Sequence, residues 1–233
     1  MIFWCVFLLY SIEKRKEDVQ RNGTELSVLL SGIDMDLLIG SNNEHKAREI
    51  QEIFDKEMPG EVKILNPSDV LEEVLDVEET GATLEMNSFL KASAFSEKTG
   101  YPCIADDTGL EIDALNGKPG VHSARFAGKE SNDANNRKKV LEMLKNIPDN
   151  EKTARFKTVI CYCRDGNTDF IEGICEGRII SEERGSSGFG YDPIFIPEGF
   201  DETFAEMPPE KKNELSHRGK AIKNFIRFLR SNR

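Results

Sequence analysis

Leu37-Leu38-Ile39-Gly40-Ser41-Asn42-Asn43 carries an apolar run straight into a polar loop, and Glu44 to Phe54 follows at once. Ile50, Ile53 and Phe54 repeat at helical spacing, and Asn43 stands where an N-cap belongs. The reading is strand, polar loop, helix. Working outward, Val62 to Leu65 suits a second strand, and Thr83 to Lys98 a long helix with Leu84, Phe89, Leu90 and Ala94 inward. Cys103-Ile104-Ala105 reads as a short buried strand that ends in Asp106-Asp107-Thr108-Gly109. Asn132 to Leu144 is helical in pattern. Phe156 to Cys163 and Phe170 to Glu176 are strands joined by the turn signal Asp165-Gly166-Asn167. A last helix, Ala221 to Leu229, puts Ile222, Phe225, Ile226 and Leu229 on one face. Helices and strands alternate first and a hairpin follows, which predicts an α/β fold with a mixed sheet and flanking helices.

The 233 residues suffice for one sizeable domain, or one domain with an appendage. A net charge of -11 repels polynucleotide phosphate, so DNA and RNA are not expected partners. The cysteines (Cys5, Cys103, Cys161, Cys163 and Cys175) contain no C-x-x-C pair, and Cys161 and Cys163 share one face of a strand. They read as reduced, mostly buried thiols of a cytoplasmic protein, with no zinc site expected. Ile2 to Tyr10 is nearly all apolar but shorter than the ~20 residues a bilayer span needs, and it lacks the flanks of a signal peptide. The expectation is an extension over residues 1–34, outside a single catalytic domain at 35–233, with no membrane partner.

Several clusters carry candidate chemistry. Gly188-Phe189-Gly190-Tyr191-Asp192-Pro193 offers a ring to stack on and backbone that can approach a ligand closely. Ser216-His217-Arg218-Gly219 adds a hydroxyl, an imidazole and a guanidinium in a loop-like setting. Together they suit a flat, carbonyl-bearing ligand such as a nucleobase; alone they also fit a structural turn and a helix cap. Ser41, Asn42 and Asn43 precede a helix N-terminus, which attracts phosphate through free N–H groups, and Lys46 can reach the same anion. The glycine spacing of a Walker A loop is missing, and a capped helix with a solvated lysine is the plain alternative.

Asp106-Asp107 is harder to explain by structure alone. Adjacent carboxylates repel, and burial opposes their charge. A hard cation with oxygen ligands would resolve both, and Glu78 and Glu79 supply further carboxylates upstream. The alternative is that Asp106 caps a turn and Asp107 is solvated. Lys91 either faces the anion or lies in solvent. In the turn-rich loop Asn116 to Phe126, Ser123 and Arg125 are assigned to tying the loop down, and His122 to no ligand.

Taken in order, these segments resemble the inosine triphosphate pyrophosphatase family. The similarity runs from about Met35 to the C-terminus. It rests on Gly40-Ser41-Asn42-Asn43-x-x-Lys46, Glu78-Glu79-Thr80-Gly81, Ala105-Asp106-Asp107-Thr108-Gly109-Leu110, Gly117-x-Pro119-Gly120-x-x-Ser123-Ala124-Arg125, Gly188-Phe189-Gly190-Tyr191-Asp192-Pro193 and Lys212-x-x-x-Ser216-His217-Arg218-Gly219. Met86-Asn87-Ser88 stands where the family usually has Glu-Asn-Ala, and Asn42 where glycine is common.

The resemblance implies an elongated α/β structure with a central nucleotide-binding cleft, a homodimer, and Mg2+-dependent hydrolysis of ITP, dITP and XTP to monophosphate and pyrophosphate. Carried over, Asp107 is the general base and lies close to the metal, Glu79 helps hold Mg2+, and Asp106 supports. Ser41, Asn42, Asn43 and Lys46 cradle phosphates, and Lys91 neutralises charge. Thr108 bonds the nucleotide, and Phe189 stacks on the base in a pocket shaped by Gly190, Tyr191 and Asp192. Lys212, His217 and Arg218 read the base edge. Donors from Arg218 would pair with the 6-carbonyl of hypoxanthine or xanthine and be left unpaired by adenine.

Three rivals remain on sequence grounds. A pyrophosphatase of other base preference is disfavoured by Ser216-His217-Arg218, and a non-catalytic sensor by Asp106, Asp107 and Lys46. A sugar-phosphate hydrolase would have no use for Phe189 as a platform.

Overall fold

The computed structural model describes residues 35–128 and 132–232, so the expected extension at 1–34, with Cys5, lies outside the described residues. β1 (Met35–Ile39), α1 (Glu44–Glu57) and β2 (Val62–Leu65) form the expected opening unit, with the Asn43 side chain accepting from the Lys46 backbone N–H as N-cap. A helical turn α2 (Pro67–Val70) and the long α3 (Leu84–Thr99) lead to β3 (Cys103–Ile112) and the short β4 (Lys118–Gly120). After α4 (Asp133–Met143), β5 (Thr153–Arg164) and β6 (Asn167–Ile179) make a long hairpin. Asp165 and Gly166 at its tip have φ of 51° and 77°, the left-handed pair that a two-residue hairpin turn requires. β7 (Phe195–Pro197), α5 (Pro209–Leu215) and α6 (His217–Ser231) complete the chain.

The sheet runs β2-β1-β3-β5-β6-β7, with β4 also on β3. β1 is parallel to β2 and β3, and the other pairs are antiparallel, so the sheet is mixed as expected. β1 reaches β3 only at Cys103 and Ile104, and β4 only at Leu110 to Ile112. Between those contacts residues 105–109 pair with β5 on one side alone among the described residues. That opening in the sheet holds Asp106, Asp107 and Thr108.

Side chains alternate across the sheet. Leu37, Ile39, Ile104, Ile160 and Tyr162 face α1 and α6, packing on Ile50, Ile53, Phe54, Ile222, Phe225 and Ile226. Cys103, Ala105, Cys161 and Cys163 face Ala92 and Phe95 of α3. A further core at the far end of β3 and β5 joins Leu110, Ile112, Phe156, Phe195 and Phe204. Cys103, Cys161, Cys163 and Cys175 are free and buried, as read from sequence. Among the described residues no helix is long and apolar enough to cross a membrane.

Three expectations are corrected. β3 does not stop at Ala105: ten residues pair with β5, from Cys103↔Cys163 to Ile112↔Ala154, and this ladder overrides the turn chemistry of Asp-Asp-Thr-Gly. On α3 the inward face is Leu84, Asn87, Ser88, Lys91, Ala92 and Phe95, while Phe89 is exposed and Leu90 and Ala94 are half-buried. The apolar pattern misleads there because the buried face is itself polar. Lastly, α6 begins at His217 with the Ser216 hydroxyl as its cap, so the expected loop is the first turn of a helix. Gly173 of β6 makes this possible: a Cβ there would collide with the His217 carbonyl and the Ala221 nitrogen, so only glycine lets the start of α6 sit on the strand.

Candidate active site

The sequence-predicted site residues line one cavity of about 350 Å³, except Asp106, which is buried and does not line it. Strand alternation sorts the aspartate pair. Asp106 shares the face of Ile104 and turns to α1 and α6; Asp107 shares the face of Ala105 and turns to α3. One step along the strand thereby gives each carboxylate its own nearest partners.

Asp106 Oδ2 lies 3.2 Å from Lys46 Nζ and 3.2 Å from Arg218 Nη2, and it accepts from the Thr108 hydroxyl. Burial opposes its charge, but Lys46 and Arg218 outweigh that and hold the carboxyl well below the usual carboxylate range. Asp106 is therefore a fixed anion that ties α1 to α6.

Asp107 is held more loosely. Its Oδ2 accepts from Asn87 Nδ2 at 3.0 Å and its Oδ1 from the Thr108 N–H at 2.9 Å. Lys91 Nζ sits 3.8 Å from Asp107 Oδ1 and 3.0 Å from Glu79 Oε1, between the two carboxylates. Here burial prevails over the lysines and raises the carboxyl above its ordinary value. Asn87 also accepts from the Gly81 N–H at 2.7 Å, and Arg125 donates to the Glu79 carbonyl at 3.0 Å, so the Glu79 segment is fixed against α3. Ser123 spans the Gly120 carbonyl and the Leu110 N–H, which is the expected tying role.

At the anion end the Ser41 hydroxyl accepts from the Asn43 N–H, and the Asn42 amide donates to the Leu75 carbonyl at 2.9 Å. These bonds shape the loop before α1 and leave its N-terminus toward the cavity. Burial lowers the Lys46 pKa, with Asp106 opposing.

At the other end Phe189 lies beneath two cations, with Lys212 Nζ 4.8 Å and Arg218 Cζ 5.6 Å from its ring centre. Lys212 bonds Asp192 at 2.9 Å and Glu49 at 2.7 Å. Arg218 gives N–H bonds to Asp106, Glu49 and Thr108 that use four of the five a guanidinium carries. One N–H has no partner among the described residues, and Arg218 lines the cavity. His217 stacks on Phe156 at 4.5 Å, and its Nδ1 has no partner among the described residues. Burial, then Arg218 and Lys212, push its pKa well down, so the imidazole is neutral. Tyr191 is structural in its contacts, donating to the Ser123 carbonyl at 2.8 Å.

Sequence reasoning missed Glu49, Asn87, Asp133 and Phe156. Glu49 follows Lys46 by three residues on one helix face, and Asn87 precedes Lys91 by four. Such spacings put each beside a residue already singled out and are the signal that could have found them. Asp133 and Phe156 carry no local signal.

These features define an α/β protein whose pocket joins a helix N-terminus, a carboxylate–lysine cluster and a cation-capped aromatic ring. The chain belongs to the Ham1 family, whose pattern matches residues 37–228. It is 44% identical over 194 residues to a protein of Oceanobacillus iheyensis named dITP/XTP pyrophosphatase, covering 83% of this chain and 97% of that one. A protein of Christiangramia forsetii with the same name is 46% identical over 195 residues, covering 84% and 99%. The solved structure of a HAM1 protein from Coxiella burnetii is similar with a TM-score of 0.76 at 38% identity, covering 84% of this chain and 99% of that one.

Proposed function

We propose that the chain hydrolyses the non-standard purine nucleoside triphosphates ITP, dITP and XTP to monophosphate and pyrophosphate. One observation carries the reading: an acid–base carboxylate and an aromatic platform line the same cavity, with lysines at hand for the phosphates between them. The names of the relatives at 44% and 46% identity agree with it.

Asp107 is the general base. Its raised pKa makes it a stronger proton acceptor than an ordinary aspartate, and Asn87 aims it. It takes a proton from water as the water oxygen bonds to phosphorus and the anhydride P–O bond breaks, releasing pyrophosphate. Lys46, Lys91 and the N-terminus of α1, with Ser41, Asn42 and Asn43, position the triphosphate and offset its charge. Thr108 bonds the nucleotide beside them.

Mg2+ fits the donors present. Glu79 and Asp107 already gather about a single positive charge, the Lys91 ammonium. Glu79 and Asp107 would be the protein's ligands to such an ion, since Mg2+ takes carboxylate oxygens and few protein ligands. The ion would supply charge stabilisation to the phosphates.

The base stacks on Phe189, in a pocket shaped by Gly190, Tyr191 and Asp192. The one spare N–H of Arg218 donates to the 6-carbonyl, and neutral His217 offers one donor and one acceptor to the base edge. Lys212 holds the platform from above. The reading places residues 35–233 in one catalytic domain, which acts as a homodimer in the cytoplasm.

Product release from a panel of ITP, XTP, dITP, GTP, ATP and UTP, with Mg2+ and then with EDTA, tests the reading. Metal-dependent pyrophosphate from the inosine and xanthosine nucleotides alone is expected. Orthophosphate, or equal rates on ATP, would overturn it.

A further inference from the structure

Phe189 sits between Gly188 and Gly190, with φ of 77° and 62°, and within the loop its N–H donates to Asp192 Oδ2 at 2.9 Å. Both backbone groups of the residue that follows it are gripped from outside the loop. The Gly190 N–H donates to Asp133 Oδ2 at 2.7 Å, and the Gly190 carbonyl accepts from Arg137 Nη1 at 2.8 Å. Both side chains come from consecutive turns of α4, four residues apart on one face. Arg137 is itself held, with Nε 3.0 Å from Glu183 Oε1, and its side chain is 15% exposed. Asn136, between them, bonds Ala127 and Ala124 and so anchors this turn of α4 to the segment that follows Ser123.

We propose that Asp133 and Arg137 are positioning residues for base recognition: from α4 they clamp the two backbone groups of Gly190 and so help set the plane of the Phe189 platform. This rests on Phe189 being the surface on which the base stacks. A charged side chain on each backbone group of one glycine makes two charge-assisted hydrogen bonds, and Arg137 gives up hydration to make its share. Together with Asp192, which accepts from the Phe189 N–H at 2.9 Å within the loop, the clamp makes the glycine-flanked turn a rigid support. The clamp touches neither the phosphates nor Asp107, so its loss acts on the base end alone.

The test separates the two ends of the ligand. Arg137→Ala, Asp133→Asn and the conservative Arg137→Lys are compared with the unaltered protein by ITP turnover, by calorimetric binding of IMP and of inorganic pyrophosphate, and by thermal unfolding. Loss of one charge-assisted bond should weaken IMP binding and raise KM for ITP by about tenfold or more, with kcat nearly unchanged. Pyrophosphate affinity should stay at the wild-type level, Tm should fall only by the few degrees that one lost intramolecular bond accounts for, and Arg137→Lys should recover part of the IMP affinity. Unaltered IMP affinity in both Arg137→Ala and Asp133→Asn would overturn the clamp, as would equal losses for IMP and pyrophosphate. If the unaltered protein neither binds IMP nor turns over ITP, the functional reading fails and the clamp with it.

Discussion

Replacing Glu49 by glutamine tests whether charge holds the base end of the cavity together. The Glu49 side chain is 15% exposed and lies 2.7 Å from Lys212 Nζ, and its other oxygen meets Arg218 Nη1. Burial alone would push this carboxyl up, but Arg218 and Lys212 outweigh burial and hold it below the usual range. Glutamine keeps the shape and removes one negative charge from between two buried cations. Removing one partner of a buried ion pair costs about 3–5 kcal/mol. Asp192 still faces Lys212 and Asp106 still faces Arg218, which puts the expected loss at the low end, about 3 kcal/mol. The sign with pH follows from the lowered folded pKa. The stabilisation is complete above the unfolded pKa of about 4.3 and is lost as pH falls through the folded value. Urea unfolding at pH 7 should therefore separate wild type from Glu49→Gln by about 3 kcal/mol, and the gap should narrow steadily below about pH 4.3. A gap under about 1 kcal/mol, the size found for exposed pairs, would refute the reasoning, and so would a gap that acid leaves unchanged.

Asp107→Asn should lower kcat by about 10²–10⁴-fold while nucleotide binding persists, measured by single-turnover kinetics beside equilibrium binding; near-normal turnover would remove the base assignment. Arg218→Lys keeps the charge but lacks the fork that serves Asp106, Glu49 and Thr108 while sparing one donor. It should shrink the kcat/KM ratio of ITP over ATP by at least about tenfold, and an unchanged ratio would take the 6-carbonyl contact away from Arg218.

Much of the fold was legible because its signals are local. The opening strand, the Asn43 cap, the Asp165-Gly166 turn and the apolar face of α6 were all written in spacing and turn chemistry. The errors lie where long-range pairing or function displaced a local preference. Asp106 to Gly109 looks like a loop in sequence and becomes mid-strand only because β5, some fifty residues later, pairs with it throughout. α3 was given the wrong face for a related reason. Asn87 and Lys91 are buried because Asp107 and Glu79 need partners, and a rule that seeks apolar residues at helical spacing passes over them.

The two adjacent aspartates show why residue type alone could not divide the labour of the site. In sequence they are equivalent, and the repulsion between them suggested one shared cation. One step along a strand turns them to opposite faces, and the faces differ in kind. The α1–α6 face meets Asp106 with two cations, which fix its charge and make it the strut between Lys46 and Arg218. The α3 face meets Asp107 with an amide and a more distant lysine, which leave burial free to raise its proton affinity. A carboxylate held ionised by two cations makes a good strut and a poor base; one held less tightly makes the reverse. Acid–base capacity at this site follows from which helix covers which face of β3, a property of the assembled sheet.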